Sequence, residues 1–257
     1  MWHVAQYERY RDERARPFFD LIGRIPDHAE LPVHAVADLG CGAGDLTRTL
    51  LERFPEAEVV GVDTSAEMLA AAAERAVPGR LRFERADAAS WCAPAPLDVL
   101  VSNATLHWLP DHERLLPHLV AQLGPSATLA VQMPDNGAAP SHRLIGEVAA
   151  EGPWAERLRA WAPNQVHPLP WYVERLWGLG FEVDAWETTY MHVLSGDDAV
   201  LEWVKGTTLR PILRLLDEAG AAGFLAAYGA RLRAAYPATA HGTLLPFRRV
   251  FFVARRG

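Results

Sequence analysis

The sequence predicts an α/β protein built on an open, mostly parallel sheet, and three observations predict it. Short apolar runs alternate with helix-periodic stretches from Val36 to Met133. A loop of three glycines, Gly40-Cys41-Gly42-Ala43-Gly44, separates the first apolar run from the first of those helical stretches. Each of the first four runs carries an Asp or Asn at or near its carboxyl end: Asp38, Asp63, Asp87 and Asn103. Strands alternating with helices at this spacing are βαβ units, which close into a parallel sheet through right-handed crossovers.

The elements follow in order. Tyr7 to Arg24 has apolar residues at helical spacing (Phe18, Leu21, Ile22, Ile25) behind a charged start, and reads as one or two N-terminal helices. Val36 to Leu39 is a strand, Asp45 to Phe54 a helix, and Glu58 to Val62 a strand ending at Asp63. Ser65 caps the helix Ala66 to Arg75. Leu81 to Glu84 and Leu97 to Ser102 are strands, a helix lies near Glu113 to Leu123, and Thr128 to Met133 is a fifth strand. After Pro134 the pattern changes: helices around Leu144 to Ala150 and Trp171 to Leu179 precede a long strand, Glu182 to Leu194. An Ala/Leu-rich helical stretch, Ala199 to Tyr236, and a last strand, Phe247 to Arg255, complete the chain. We expect one domain over residues 1–257, with a cofactor-binding core at about 33–135 and a helical cap from about 1–30 and 196–241 over the carboxyl ends of the strands.

Composition narrows the function. The 257 residues are 50% hydrophobic and 22% charged, ordinary for a globular protein with a sizeable core. No stretch approaches the roughly 20 apolar residues of a membrane span, and Met1 to Arg16 is polar and charged, without the apolar segment of a secretory signal. A cytoplasmic chain, monomer or dimer, is expected. Cys41 and Cys92 suggest neither a disulfide framework nor a metal site. The net charge is −7 with no dense Lys/Arg run, which speaks against nucleic acid as a partner. Lys205 is the sole lysine, so the cations are nearly all arginine; abundant alanine makes compositional bias the plain explanation, with a minority of arginines left to face an anionic ligand.

The glycine loop lets the backbone turn tightly and approach a ligand without a Cβ in the way. Alone it also fits a dinucleotide or phosphate. Its spacing, however, is G-x-G-x-G, and Asp38 before it would repel a pyrophosphate while suiting an ammonium group. Asp63 stands where an acidic side chain takes ribose hydroxyls, a feature that an NAD enzyme shares. Asp87 can accept from an adenine amino group, and Asn103 reaches the reacting end. Any one of these is a common cap or turn residue; four in order at strand ends are a ligand site.

In Val36 to Gly44, Val62-Asp63, Ala86-Asp87-Ala88 and Asn103-Ala104, the chain resembles the class I S-adenosylmethionine-dependent methyltransferases. The resemblance implies a Rossmann-like, seven-stranded, mostly parallel sheet with an antiparallel last strand. It implies S-adenosylmethionine as cofactor, with Asp38, Gly40 and Gly42 at the methionine part, Asp63 on the ribose, Asp87 and Ala88 at the adenine and Met68 over its face. Met68 is equally explained as a packed helix residue. Tyr7 would help to cover the cofactor. Several stretches resemble more narrowly the trans-aconitate methyltransferases: Glu13 to Pro17, Asn103 to His112, Ala130 to Asn136, Trp186 to Tyr190, Trp203 to Pro211 and Phe247 to Phe251. The likeness spans essentially the whole chain. Met191, where a second aromatic is expected, and the Gly152 to Trp171 loop depart from it.

A tricarboxylate calls for arginine, whose planar fork grips a carboxylate at two points. Arg210 is the first candidate, then Arg248 and Arg249, with Arg14 and Arg16 reaching from the N-terminal helices; Tyr190 and His192 would complete the pocket, and His107, Trp108 and Gln132 would position the acid. For each arginine a solvated surface position is the plain alternative, as core packing is for Trp108, Trp186 and Trp203. The reaction implied is an in-line displacement giving a monomethyl ester and S-adenosylhomocysteine. A carboxylate is ionised at neutral pH, so no general base and no metal is expected. A different small acid or natural product, an NAD-dependent dehydrogenase and a non-catalytic cofactor-binding module are the competing readings.

Overall fold

The computed structural model of the chain describes residues 11–26, 32–161, 166–206 and 208–256 and, within 11–14, the backbone alone. The anticipated Tyr7 therefore lies outside the described residues. Helix α1 (Arg11–Ile22) is followed by β1 (Ala35–Leu39), α2 (Asp45–Arg53), β2 (Glu58–Asp63), α3 (Ala66–Ala73), β3 (Leu81–Arg85) and β4 (Leu97–Asn103). A 3₁₀ turn (Leu106–Trp108) leads to α4 (His112–Val120) and β5 (Leu123–Pro134). Next come α5 (Pro140–Ala150), α6 (Ala155–Leu158), α7 (Leu169–Gly178), β6 (Phe181–Leu194), α8 (Ala199–Lys205), α9 (Arg210–Leu213), α10 (Glu218–Ala235), β7 (Ala238–Thr239) and β8 (Gly242–Arg256).

Among the described residues the sheet has the strand order β3-β2-β1-β4-β5-β8-β6, with β7 paired to β8. The first five strands pair in parallel, Asp38 opposite Gly61 and Val101, Asn103 opposite Gln132. Strand β8 is reversed. The Leu123 carbonyl accepts from Arg256 at 3.0 Å. The Asp135 amide, past the other end of β5, donates to the Arg248 carbonyl. Residue numbers thus run in opposite senses along β5 and β8, which is the antiparallel strand the resemblance implied. Parallel strands covered on both faces are apolar throughout, and β1 and β4 are accordingly buried along almost their whole length.

The chain divides into two compact units. The first comprises the described residues of Met1–Pro134, Val166–Glu187 and Val250–Gly257, the second those of Asp135–Gln165 and Thr188–Arg249. In the first, Leu39, Leu100, Leu106, Val131, Tyr172 and Phe252 belong to one buried cluster. The apolar stripe of α1, Phe18, Leu21 and Ile22, is buried, as is Ile25. In the second, α10 and α5 are joined by hydroxyls: Tyr228 donates to the Ser141 carbonyl, and Tyr236 accepts from the Ser141 amide at 3.0 Å. Trp154 meets Phe224 edge-on at 5.6 Å.

Several boundaries differ from expectation for local reasons. The stretch 199–236 is helical, as expected, and divides into three helices. Pro211 has no backbone N–H and is tolerated only in the first turn of a helix, so α9 starts afresh around it, and Asp217 starts α10 afresh by accepting from Gly220 N–H at 2.8 Å. Strand β5 begins at Leu123 because Ser126 takes a left-handed conformation (φ 59°) and the pairing with β4 shifts register between Leu97 and Val99. That irregularity carries the Gly124-Pro125-Ser126 segment, which looks like a loop, into the sheet. Strand β8 begins at Gly242 because a tight turn at φ 119° folds it back on β7.

Candidate active site

The carboxyl ends of β1, β2 and β4 converge in the first unit. Gly40, Gly42 and Gly44 all have positive φ. At Gly40 a Cβ would sit 1.8 Å from the Thr105 hydroxyl, whereas at Gly42 it would meet nothing within 4 Å. Gly40 is therefore fixed by packing against the 103–108 turn, and Gly42 faces open space. Four of the five loop amides are already engaged: Gly40 and Cys41 N–H donate to Val62 O, Gly44 N–H to Cys41 O, and Gly42 N–H to Asp63 Oδ2 at 2.9 Å. A phosphate-binding loop presents its amides to the ligand. This one spends most of them internally and leaves acceptors exposed to whatever binds.

Asp63 is held by Gly42 on one oxygen and by Ser65 N–H at 2.8 Å on the other, which aims its remaining lone pairs outward. Asp38 is 3% exposed and accepts from the Thr47 hydroxyl at 2.6 Å. Burial raises its pKa to about 6; the Thr47 bond opposes the rise and the nearby Asp63 charge adds to it. Asp87 stays exposed and accepts from Ala89 N–H at 2.9 Å, with Ala88 buried beside it. Met68 is buried in α3, whose N-terminus Ser65 caps as expected. Burial raises the Cys41 thiol far above its ordinary value, so it stays protonated.

Asn103 carries the clearest signature of a ligand. Its Oδ1 is buried without a hydrogen-bond partner, an uncommon state for a polar atom. It stands at the tip of β4, before Ala104 (φ 53°), whose N–H donates to Gln132 O at 2.9 Å. Gln132 is itself buried. The 3₁₀ turn then presents His107 and Trp108, both half-buried, with ring centroids 4.8 Å apart. Acceptors at Asn103, Asp63 and Asp87, a buried carboxylate at Asp38 and open space at Gly42 fit a cationic nucleoside; they do not fit a pyrophosphate.

In the second unit, Tyr190, His192 and Arg249 come together. The Tyr190 and His192 rings lie 6.4 Å apart at 10°, and the Arg249 guanidinium stands 6.0 Å from the Tyr190 ring and 5.1 Å from Phe247. Trp203 lies 4.7 Å from His192 and 5.5 Å from Phe247. Phe247, quoted in the closing stretch, was not named as a site residue, although its period-2 relation to Arg249 puts both on one face of β8. Arg248 points to the other face. Its guanidinium pairs with Asp135 at 2.5 Å, and its backbone exchanges two hydrogen bonds with the Asn136 side chain. Arg210 opens α9, half-buried between the buried Leu209 and Ile212. Arg14 lies in α1 and Arg16, also in α1, is exposed. No cluster of residues suited to a metal ion occurs among the described residues.

Comparison with known proteins agrees with this geometry. A family model described as a methyltransferase domain matches residues 36–126. The trans-aconitate 2-methyltransferase of Streptomyces avermitilis is 49% identical over 99% of this chain and 97% of its own. That of Streptomyces coelicolor is 50% identical over 99% of this chain and 86% of its own. A solved S-adenosylmethionine-dependent methyltransferase from Geobacter sulfurreducens, in complex with S-adenosylhomocysteine, superposes with a TM-score of 0.53 over 95% of this chain and 91% of its own, at 18% identity. The sheet order, the glycine turn and about half the residues identical over nearly the full length together show that the chain belongs to the trans-aconitate 2-methyltransferase family of class I methyltransferases.

Proposed function

We propose that the protein methylates a carboxylate of trans-aconitate, forming the monomethyl ester. The observation that carries the cofactor part is the Gly42–Asp63 contact: it removes the loop amide from phosphate binding and orders an acceptor for ribose. When bound, S-adenosylmethionine supplies the methyl group. Asp38 with Gly40 and Gly42 would hold its methionine part, Asp63 the ribose, Asp87 and Ala88 the adenine, and Met68 would close the adenine face. Asn103 Oδ1 would gain the partner it lacks, and Tyr7 is assigned to cover the bound molecule.

The acid's carboxylate is ionised at neutral pH, so the chain need not remove a proton. What its residues do is bind, orient and exclude water; alignment alone is worth roughly 7–11 kcal/mol in favourable cases. His107, Trp108 and Gln132 are assigned to orientation. Arg249, Arg210 and Arg14 are assigned to the carboxylates, with Tyr190 and His192 donating hydrogen bonds, whereas Arg248, a candidate from the sequence, is taken up by Asp135. Burial favours Arg249 among these, since a buried guanidinium is worth more to an anion than an exposed one. We place the protein in the cytoplasm, as a monomer or dimer, a reading its two free thiols support. Among the described residues no helix is long and apolar enough to cross a membrane.

The test is incubation with S-adenosylmethionine and a panel of trans-aconitate, cis-aconitate, citrate and isocitrate, with ester and S-adenosylhomocysteine followed by mass spectrometry. Ester formed fastest from trans-aconitate supports the assignment. Ester from another acid alone would move the substrate elsewhere within the same chemistry.

A further inference from the structure

One buried polar chain in the first unit has no part in the roles assigned above. The Leu106 carbonyl accepts from Leu109 N–H at 2.9 Å and lies 2.9 Å from His112 Nε2. A carbonyl only accepts, so Nε2 carries the imidazole proton. The Nδ1 atom is then a bare acceptor, and the Tyr172 hydroxyl donates to it at 2.6 Å. That hydroxyl in turn accepts the backbone N–H of His167 at 3.2 Å. The result is a directed series: His167 N–H to Tyr172 oxygen, Tyr172 O–H to His112 Nδ1, His112 Nε2–H to Leu106 oxygen.

His112 is 3% and Tyr172 1% exposed. Two apolar side chains would fill this space at less desolvation cost. What the polar pair adds is direction, because it grips the carbonyl of the residue immediately before His107 and Trp108. The far side of the same turn is gripped as well: Ala104 N–H by Gln132 O, and Thr105 by its wedge against Gly40. The Tyr172 ring stacks on Phe252 at 5.3 Å, which anchors the series to β8. Burial lowers the His112 pKa, with His167 opposing its charge and Asp111 favouring it, so the ring stays neutral as the series requires.

We propose that His112 and Tyr172 are positioning residues for methyl transfer, acting through the Leu106–Trp108 turn to set the orientation of His107 and Trp108. The inference rests on the reading of the site given above. Two variants test it. Tyr172→Phe keeps the stack on Phe252 and removes the hydroxyl. His112→Gln keeps an amide N–H that can reach the Leu106 carbonyl. In Tyr172→Phe we expect kcat for ester formation to fall about 10- to 100-fold, the scale set by small misplacements of reacting groups, while cofactor Kd and KM for the acid change less than about threefold. Amide exchange over residues 104–110, read on the ligand-free protein, should rise about tenfold, with β4 and α7 unchanged. His112→Gln should keep exchange and kcat within about threefold of wild type, and His112→Leu should behave as Tyr172→Phe. Unchanged exchange and kcat in Tyr172→Phe, or exchange raised equally through β4 and α7, would overturn the inference. Absence of ester from any acid with the wild-type protein would instead sink the functional reading. The two failures are distinguishable because exchange is read without substrate.

Discussion

Asp38 is the residue at which function and stability oppose one another. Its carboxyl is held in the fold with a pKa of about 6 against an ordinary value of 3.8. Between those values the folded chain binds more protons than the unfolded chain, so this group's contribution to stability declines as pH rises through the window. Above about pH 6 the buried charge costs on the order of 3 kcal/mol. Asp38→Asn should therefore raise the melting temperature at pH 8 and change it little at pH 4, while weakening S-adenosylhomocysteine binding at least about tenfold, a gain of stability against function of a familiar kind. Thermal scans at the two pH values, with and without the nucleoside, check both halves. For Arg249 and Arg248 we expect different outcomes. Arg249→Met, which removes the charge from the aromatic cluster, should raise KM for the acid by about 10-fold or more, since charge-assisted bonds are worth roughly 1.5–3 kcal/mol. Arg248→Met loses a half-exposed ion pair with Asp135, a contact of modest value, and should change KM less than about threefold. Equal effects on KM would remove Arg249 from the carboxylate role.

At the scale of elements, the glycine turn and the 103–112 segment act as one piece. Gly40→Ala would place a methyl group 1.8 Å from the Thr105 hydroxyl and force φ 83° on an alanine. We expect the variant to lose at least about 2 kcal/mol of stability, from left-handed strain and overpacking together, read as a shifted urea midpoint. Gly42→Ala meets no neighbour; its cost should be the backbone strain of about 1–2 kcal/mol together with weaker cofactor binding. Much of this piece was legible in the residues. The order of Asp38, Asp63, Asp87 and Asn103 at strand ends follows from alternating periodicity and turn chemistry, which are local. The bonding of the loop amides was not legible, because Gly42 N–H finds Asp63 across 21 positions. Nor was the His112–Tyr172 pair, joined across 60 positions: nothing local marks either residue. The stretch 199–236 is helical, as its composition suggests, but its division into three helices was not legible, for the opposite reason. Its Ala/Leu content favours helix throughout, and the breaks come from Pro211, which fits only a first turn, and the Asp217 cap, two single residues that outweigh propensity.

At the scale of the molecule, pH acts through groups that the fold keeps uncharged. Burial drives the His142 pKa down to about 4 and lowers that of His112 as well. Below the ordinary value of 6.5 the unfolded chain takes up protons at these positions that the folded chain refuses, so their contribution falls as pH drops from about 6.5 toward 4. On the acid side these two histidines therefore oppose the gain that Asp38 brings. His142→Gln should flatten the melting-temperature profile between pH 4.5 and about 6.5; an unchanged slope would show that His142 is not buried as described.

The sequence by itself determined the α/β class, the order of acceptors along the strand ends and the capping of α3, because periodicity, turn residues and local spacing carry each of these within a few residues; the family came from resemblance along the whole chain. The tertiary structure decided the rest: that the glycine loop spends most of its amides internally, that burial raises the Asp38 pKa, that Arg248 and Arg249 part company on β8, and that Leu106 is gripped from α7 through α4. Each depends on partners tens of residues apart in the chain, or on burial, which is a property of the packed molecule rather than of any segment of it.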